Sequence, residues 1–397
     1  MPSELLEERW LTMGERKNVQ SLSDERFRNA FSELKSSGGL ARLVNVHSDG
    51  QTPQHGNGLF LPWHRAYILD LERKLQSKDP GVSLPFWDWI GTPRLPDIYA
   101  TPSTEETNSL YHNGRTLGLE NPDFPSNCCL DAAMQEDTFE GFGGDYSSFG
   151  NQDSPGKLEN LHGLIHTWVG GDMEALAASP GDPIFWAHHA NVDRLWAAWQ
   201  ASPQGKDPDT TDIPLPGYPD LTVEKVLDIK TLGYNYASVA PLAPCPEPDE
   251  RRLPRGRRLK NRTIAGLIPV FEGPNLDLVD ESISHPLPTT GIPPDISRAD
   301  VAFVNLRIGP GNARTPAVLR LTLNGTDNSN CPESLFGTPL WNGLGHLSHR
   351  KLTLRVDVTR TLKVIMAGRS RLPVQIGVRF SPPGRPLRVD RVVLRYS

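Results

Sequence analysis

The hydrophobic period of this chain changes partway along it, and that change limits the available folds more than any other feature. In residues 1–240 apolar positions recur at helical intervals. Phe27, Phe31 and Leu34 share one face of a segment that Ser23 can cap and that Gly38 and Gly39 can end. A second helix is expected from Pro62, with His64, Ile68, Leu71 and Leu75 facing inward. A third should carry His162 and His166. A fourth should run from Pro183 to Gln200, with His189, Asp193 and Trp196 on one stripe. The stretch 91–157 is rich in glycine, proline and asparagine and reads as a long irregular excursion. From 263 to 397 the period is two. Leu352, Leu354, Val356 and Val358 alternate with polar neighbours, and the pattern repeats at Val374, Ile376, Val378 and Phe380 and at Leu319, Leu321 and Leu323. The expected fold is a mainly α helix bundle followed by an antiparallel β-sandwich or barrel.

Residues 241–262, PLAPCPEPDERRLPRGRRLKNR, join the two parts. They are first proline-rich and acidic, then strongly basic, as suits an exposed linker. The whole chain has 41 basic and 47 acidic residues, a net charge of −6, which disfavours nucleic-acid binding by bulk charge. It holds no apolar run long enough to span a membrane. The start, MPSELLEERWL, is acidic and lacks the order of a signal peptide, so a cytoplasmic address is expected. The four cysteines include an adjacent pair, Cys128 and Cys129, and no CxxC. Neither a disulfide scaffold nor a cysteine zinc site is indicated.

Eleven histidines carry the chemical argument. His47, His55 and His64 form one group, and His162, His166, His188 and His189 another. His162 and His166 stand four apart, on one helix face, where polar surface or satisfied core histidines are the ordinary alternative. His64 and His189 lie on apolar faces, where each ring nitrogen needs a partner and a metal is one such partner. Helix bundles build metal sites from side chains on facing helices in this manner. Imidazoles suit zinc, copper, iron and nickel. Two sets of three neutral nitrogens would hold two metal ions, with copper modestly favoured over zinc.

The motifs around these histidines resemble those of the tyrosinase and polyphenol oxidase family. HGNGLFLPWHRAYILDLE (55–72) is similar to the family's first copper motif, and PFWDW (85–89) to the segment that follows it. LENLHGLIHTWVGGDM (158–173) and DPIFWAHHANVDRLW (182–196) are similar to the two halves of the second copper motif. LGYNY (232–236) resembles the tyrosine motif that closes the catalytic domain. The resemblance covers most of residues 20–240. Carried over by position, it implies two copper ions, one held by His47, His55 and His64, the other by His162, His166 and His189. His188 then stands behind the ligands, and Arg65 and Asp193 are candidates for orienting them, with an ordinary buried ion pair as the alternative. The implied reaction is oxidation of a catechol to an o-quinone by dioxygen. Within the family a tyrosinase hydroxylating monophenols, an o-aminophenol oxidase and a haemocyanin-like oxygen carrier share this site.

Departures from the family pattern sharpen the expectation. Glu159 matches the glutamate that helps to hold a phenol-deprotonating water, but the asparagine expected after the first histidine of the second site is Gly163. This favours diphenol oxidation, or opens the pocket to a bulkier ring. Leu176 falls where members place a residue at the pocket mouth. No cysteine lies near His55, so the thioether found in many members is not expected. The C-terminal domain, by its architecture, resembles the shielding domain of latent polyphenol oxidases. The loop 324–349 carries Phe336 and Trp341, either of which is a candidate plug for the copper pocket, with capping of the sandwich as the alternative. The arginines of the linker are then a candidate site for an activating protease.

Overall fold

The computed structural model describes residues 14–22, 24–48, 54–119, 124–145, 152–153, 155–237, 266–278, 283–287, 292, 299–308, 318–323, 326–327, 333–334, 351–358, 362, 374–381 and 387–396. The basic linker, Ser23, Phe336 and Trp341 lie outside them, while Thr326–Asp327 and Glu333–Ser334 of the expected loop 324–349 are short strands. The chain divides into two compact units. One is Met1–Phe124, Met134–Tyr146 and Gly156–Pro241, and the other is Pro125–Ala133, Ser147–Pro155 and Leu242–Ser397.

The first unit is helical. Helix α1 (Asp24–Ser36) buries Phe27, Phe31 and Leu34, and α2 (Gly39–Ser48) follows after a turn in which Gly38 takes φ +72°. Helix α3 (Phe60–Gln76) begins two residues before Pro62, which sits in its first turn, where a missing N–H costs nothing. Arg73 and Lys74 in its last turn complement the helix dipole. The expected inner face, His64, Ile68, Leu71 and Leu75, is buried. The excursion between α3 and the second histidine group is mostly turns but also contains α4 (Asn127–Met134), all but its last residue in the second unit, and α5 (Phe139–Gly143) in the first. Helix α6 (Lys157–Val169) carries His162 and His166, and α7 (Ile184–Gln200) carries His188 and His189. Helices α3 and α7 pack together, and α6 packs on α7. The PFWDW segment is tied to α7: Trp87 N–H donates to the Ala187 carbonyl at 2.9 Å, and Arg194 lies over the Phe86 ring. Strand β1 (Gly14–Arg16) pairs in parallel with Tyr234–Tyr236, which brings the start of the unit to the LGYNY motif near its end.

The second unit contains two five-stranded sheets. In one, Gln152–Asp153 is followed by Lys351–Asp357, Ala299–Ile308, Leu387–Tyr396 and Gly266–Leu278, and every pairing except the first is antiparallel. In the other, Thr326–Asp327, Val318–Leu323, Val374–Ser381 and Ile283–Leu287 lie side by side, with Glu333–Ser334 also on Val318–Leu323, all antiparallel. The period-two segments read from the sequence are therefore strands, and Leu321 and Val356 are buried. Cys128 is disulfide-bonded, which the adjacent-pair spacing did not foreshadow, whereas the buried Cys129 thiol lies 3.1 Å from the Ser126 hydroxyl.

Candidate metal centre

Four helices and one turn deliver the imidazoles. His47 stands in the last turn of α2, His55 on the turn before α3, and His64 one turn into α3. Their ligand atoms lie within 4.8 Å of one another. His162, His166, His188 and His189, from α6 and α7, form a second set on the same criterion. The sets adjoin, since the rings of His64 and His189 stack at 4.3 Å. All seven side chains are buried.

Backbone carbonyls orient four of the rings. The Nδ1–H groups of His47, His64, His162 and His166 donate to the carbonyls of Leu176 (3.0 Å), Phe60 (2.8 Å), Glu159 (3.1 Å) and Met173 (2.7 Å). Each such bond fixes the tautomer with its lone pair on Nε2. The Nε2 atoms of His47, His55 and His64 are buried with no protein partner. In the second set the Nε2 atoms of His166 and His189 approach to 3.4 Å. Burial drives His47 and His166 from the usual 6.5 to about 3, against the opposing carbonyl bonds. Burial, reinforced by repulsion from neighbouring imidazoles, holds His55, His64, His162, His188 and His189 well below that value. Neutral, convergent nitrogens are what a soft or borderline cation requires. The residues thus fit two metal ions.

The remaining expected residues fall around this centre. Glu159 is buried, and its Oε1 accepts from Gly56 N–H at 2.7 Å, next to His55. Gly163 follows His162 on the buried face of α6. Leu176 is half-buried, and its contribution to the first histidine set is its carbonyl. His188 is buried, stacks on His162 at 5.1 Å, and neither of its nitrogens has a partner. Arg65 and Asp193 bond to each other and not to any imidazole. Asp193 also accepts from Arg16 (3.1 Å), Tyr234 (2.7 Å) and Tyr236 (2.6 Å). Arg65 donates to the carbonyls of Val226 and Leu227 and lies over the Trp196 ring. Arg16 and Glu72, which the sequence did not single out, complete this buried network. The trace of Glu72 in the sequence was a charge at an otherwise apolar helical position, whereas Arg16, on β1, left none.

A helical unit that gathers two adjoining sets of buried imidazoles defines a candidate dinuclear metal centre. The common central domain of tyrosinase matches residues 38–123 and 95–202. A tyrosinase of Streptomyces antibioticus is 32% identical over 246 residues, covering 52% of this chain and 88% of that protein. The chain belongs to the tyrosinase family, whose members hold two copper ions. Among solved structures, latent apple tyrosinase is similar over 97% of this chain and 98% of its own, with a TM-score of 0.69 at 20% identity. A functional unit of octopus hemocyanin is similar over 94% and 99%, with a TM-score of 0.58 at 19% identity.

Proposed function

We propose that this chain oxidises o-diphenols to o-quinones with dioxygen. The observation that carries the reading is the convergence of two neutral imidazole sets, with ring orientations set by backbone carbonyls. His47, His55 and His64 would hold one copper ion, and His162, His166 and His189 the other, with His188 packed behind His162. Copper bound there supplies the electron-accepting chemistry that couples loss of two electrons and two protons from a catechol to the reduction of dioxygen. The protein's part is to hold the nitrogens in place and to keep water out with Phe60 and Phe185, whose rings lie 4.7 Å from His162 and 4.2 Å from His189.

Two features favour diphenols over monophenols. Gly163 has no side chain with which to hold a water, and an oxygen of Glu159 is engaged by Gly56 N–H. A tyrosinase or o-aminophenol oxidase activity is the alternative within the class. An oxygen carrier is the alternative outside it, favoured by the likeness to the hemocyanin unit.

The β unit, proposed as a sandwich, would shield the site. Phe336, or Trp341 in its place, would occupy the substrate position until the linker is cut. The likeness to a latent tyrosinase over nearly the whole chain supports this arrangement. Dioxygen uptake by copper-loaded protein with catechol, before and after limited trypsin treatment, tests the reading. Uptake that starts low and rises on cleavage within 251–262 is the expected result. No uptake in either state with two coppers bound would turn the reading to the oxygen carrier.

A further inference from the structure

The loop between α6 and α7 serves both imidazole sets. Its Met173 carbonyl accepts from His166 and its Leu176 carbonyl from His47, so residues three apart orient one ring of each set. The buried Ser179 hydroxyl donates to the same Leu176 carbonyl at 3.2 Å, fixing its direction. The turn into the loop uses Gly170 and Gly171, at φ +71° and +60°. A Cβ on Gly171 would meet the Gly114 carbonyl oxygen at 2.5 Å, so the backbone of the 110–118 segment lies directly against it.

That segment grips the loop at both ends. At the near end, Thr116 N–H donates to Val169 and Gly118 N–H to Trp168, and His112 Nε2 pairs with Asp172 at 2.9 Å. At the far end, Arg115 makes two hydrogen bonds to Asp182, at 2.8 and 2.6 Å, while Asp182 accepts from Ile184 N–H at the start of α7. Arg115 is itself anchored on the carbonyls of Tyr99 and Leu110. Neither the Arg115–Asp182 pair nor the His112–Asp172 contact touches a histidine of the two sets.

We propose that Arg115 and His112 are positioning residues: by clamping the loop 170–182 they hold His47 and His166 in register, so that one surface segment sets the geometry of both metal sites. The proposal rests on the copper reading for its consequence but not for its geometry. His64 and His162 donate to carbonyls of their own helices, Phe60 and Glu159, and are independent of the clamp. Groups that orient ligands are worth about tenfold or more in metal affinity.

The test uses the full chain with Arg115→Lys, which keeps the charge but loses the two-pronged bond, and His112→Gln. Arg26→Gln, which breaks an exposed pair with Asp79 elsewhere, is the control. Histidine side-chain NMR on metal-free protein reads the Nδ1–H resonances. The clamp predicts that those of His47 and His166 shift together while His64 and His162 stay fixed. Copper retention against a chelator should fall about tenfold at both sites. Equal shifts at all four histidines, a shift at one of the pair only, or no shift would overturn the proposal. Should the unaltered protein fail to bind copper while the NMR pattern holds, the copper reading falls and the clamp stands.

Discussion

His47 and His166 show how a buried site sets the behaviour of a single side chain. Both protonate at about 3 when folded, and at about 6.5 when unfolded and in water. Between those values the unfolded chain binds more protons, so stability rises with pH across the window. Metal-free protein is therefore expected to lose stability as pH falls from about 6.5 toward 3, by up to about 1.4 kcal/mol per pH unit for each of these histidines. Denaturant melts at a series of pH values check this, and a flat profile would mean that the imidazoles are not dry. The neighbours His188 and His189 are separated by a second experiment. His189→Ala should leave one copper per chain and His188→Ala two, as counted by elemental analysis. The resemblance distinguished these two residues by their place after Phe185. Burial alone does not, since both are dry.

At the scale of elements, the helices that carry the ligands are held by charge as well as by packing. Asp193 on α7 meets Arg65 on α3, Arg16 on β1, and two tyrosines of the LGYNY segment. Burial opposes its ionisation, yet Arg65 and Arg16 hold its carboxyl below the usual range. Asp193→Ala would strand Arg65 without its counter-ion and is expected to cost about 3–5 kcal/mol. Thermal melts should show that loss. The copper content of the protein that remains folded should be unchanged, because no imidazole bond runs through Asp193. Gly171→Ala acts differently, forcing a Cβ into a positive-φ turn against the Gly114 carbonyl. It should destabilise the protein by about 1–3 kcal/mol and loosen copper binding as well. The helical and period-two segments were legible because burial writes its period into the sequence. The short helices within 91–157 were not, since Asn127–Met134 and Phe139–Gly143 are too brief to show one.

For the whole molecule, the linker offers the test of latency. Replacing Arg251, Arg252, Arg255, Arg257, Arg258 and Lys260 by Gln should leave catechol-dependent dioxygen uptake low after trypsin, where the unaltered chain is activated. Activation despite the replacements would remove the linker from the argument. Among the described residues no helix is long and apolar enough to cross a membrane. The sequence by itself determined the change from helix to strand and the motifs that place the chain in its family. It also determined the histidines, because side-chain identity, spacing and period are written there directly. Only the tertiary structure decided what orients those histidines. The carbonyls of Leu176 and Met173, Gly56 N–H on Glu159, and the Arg115 clamp bring together groups remote in the chain. The physical reason is that every residue but proline has the same backbone donor and acceptor, so sequence cannot mark which of them a fold will bring to an imidazole.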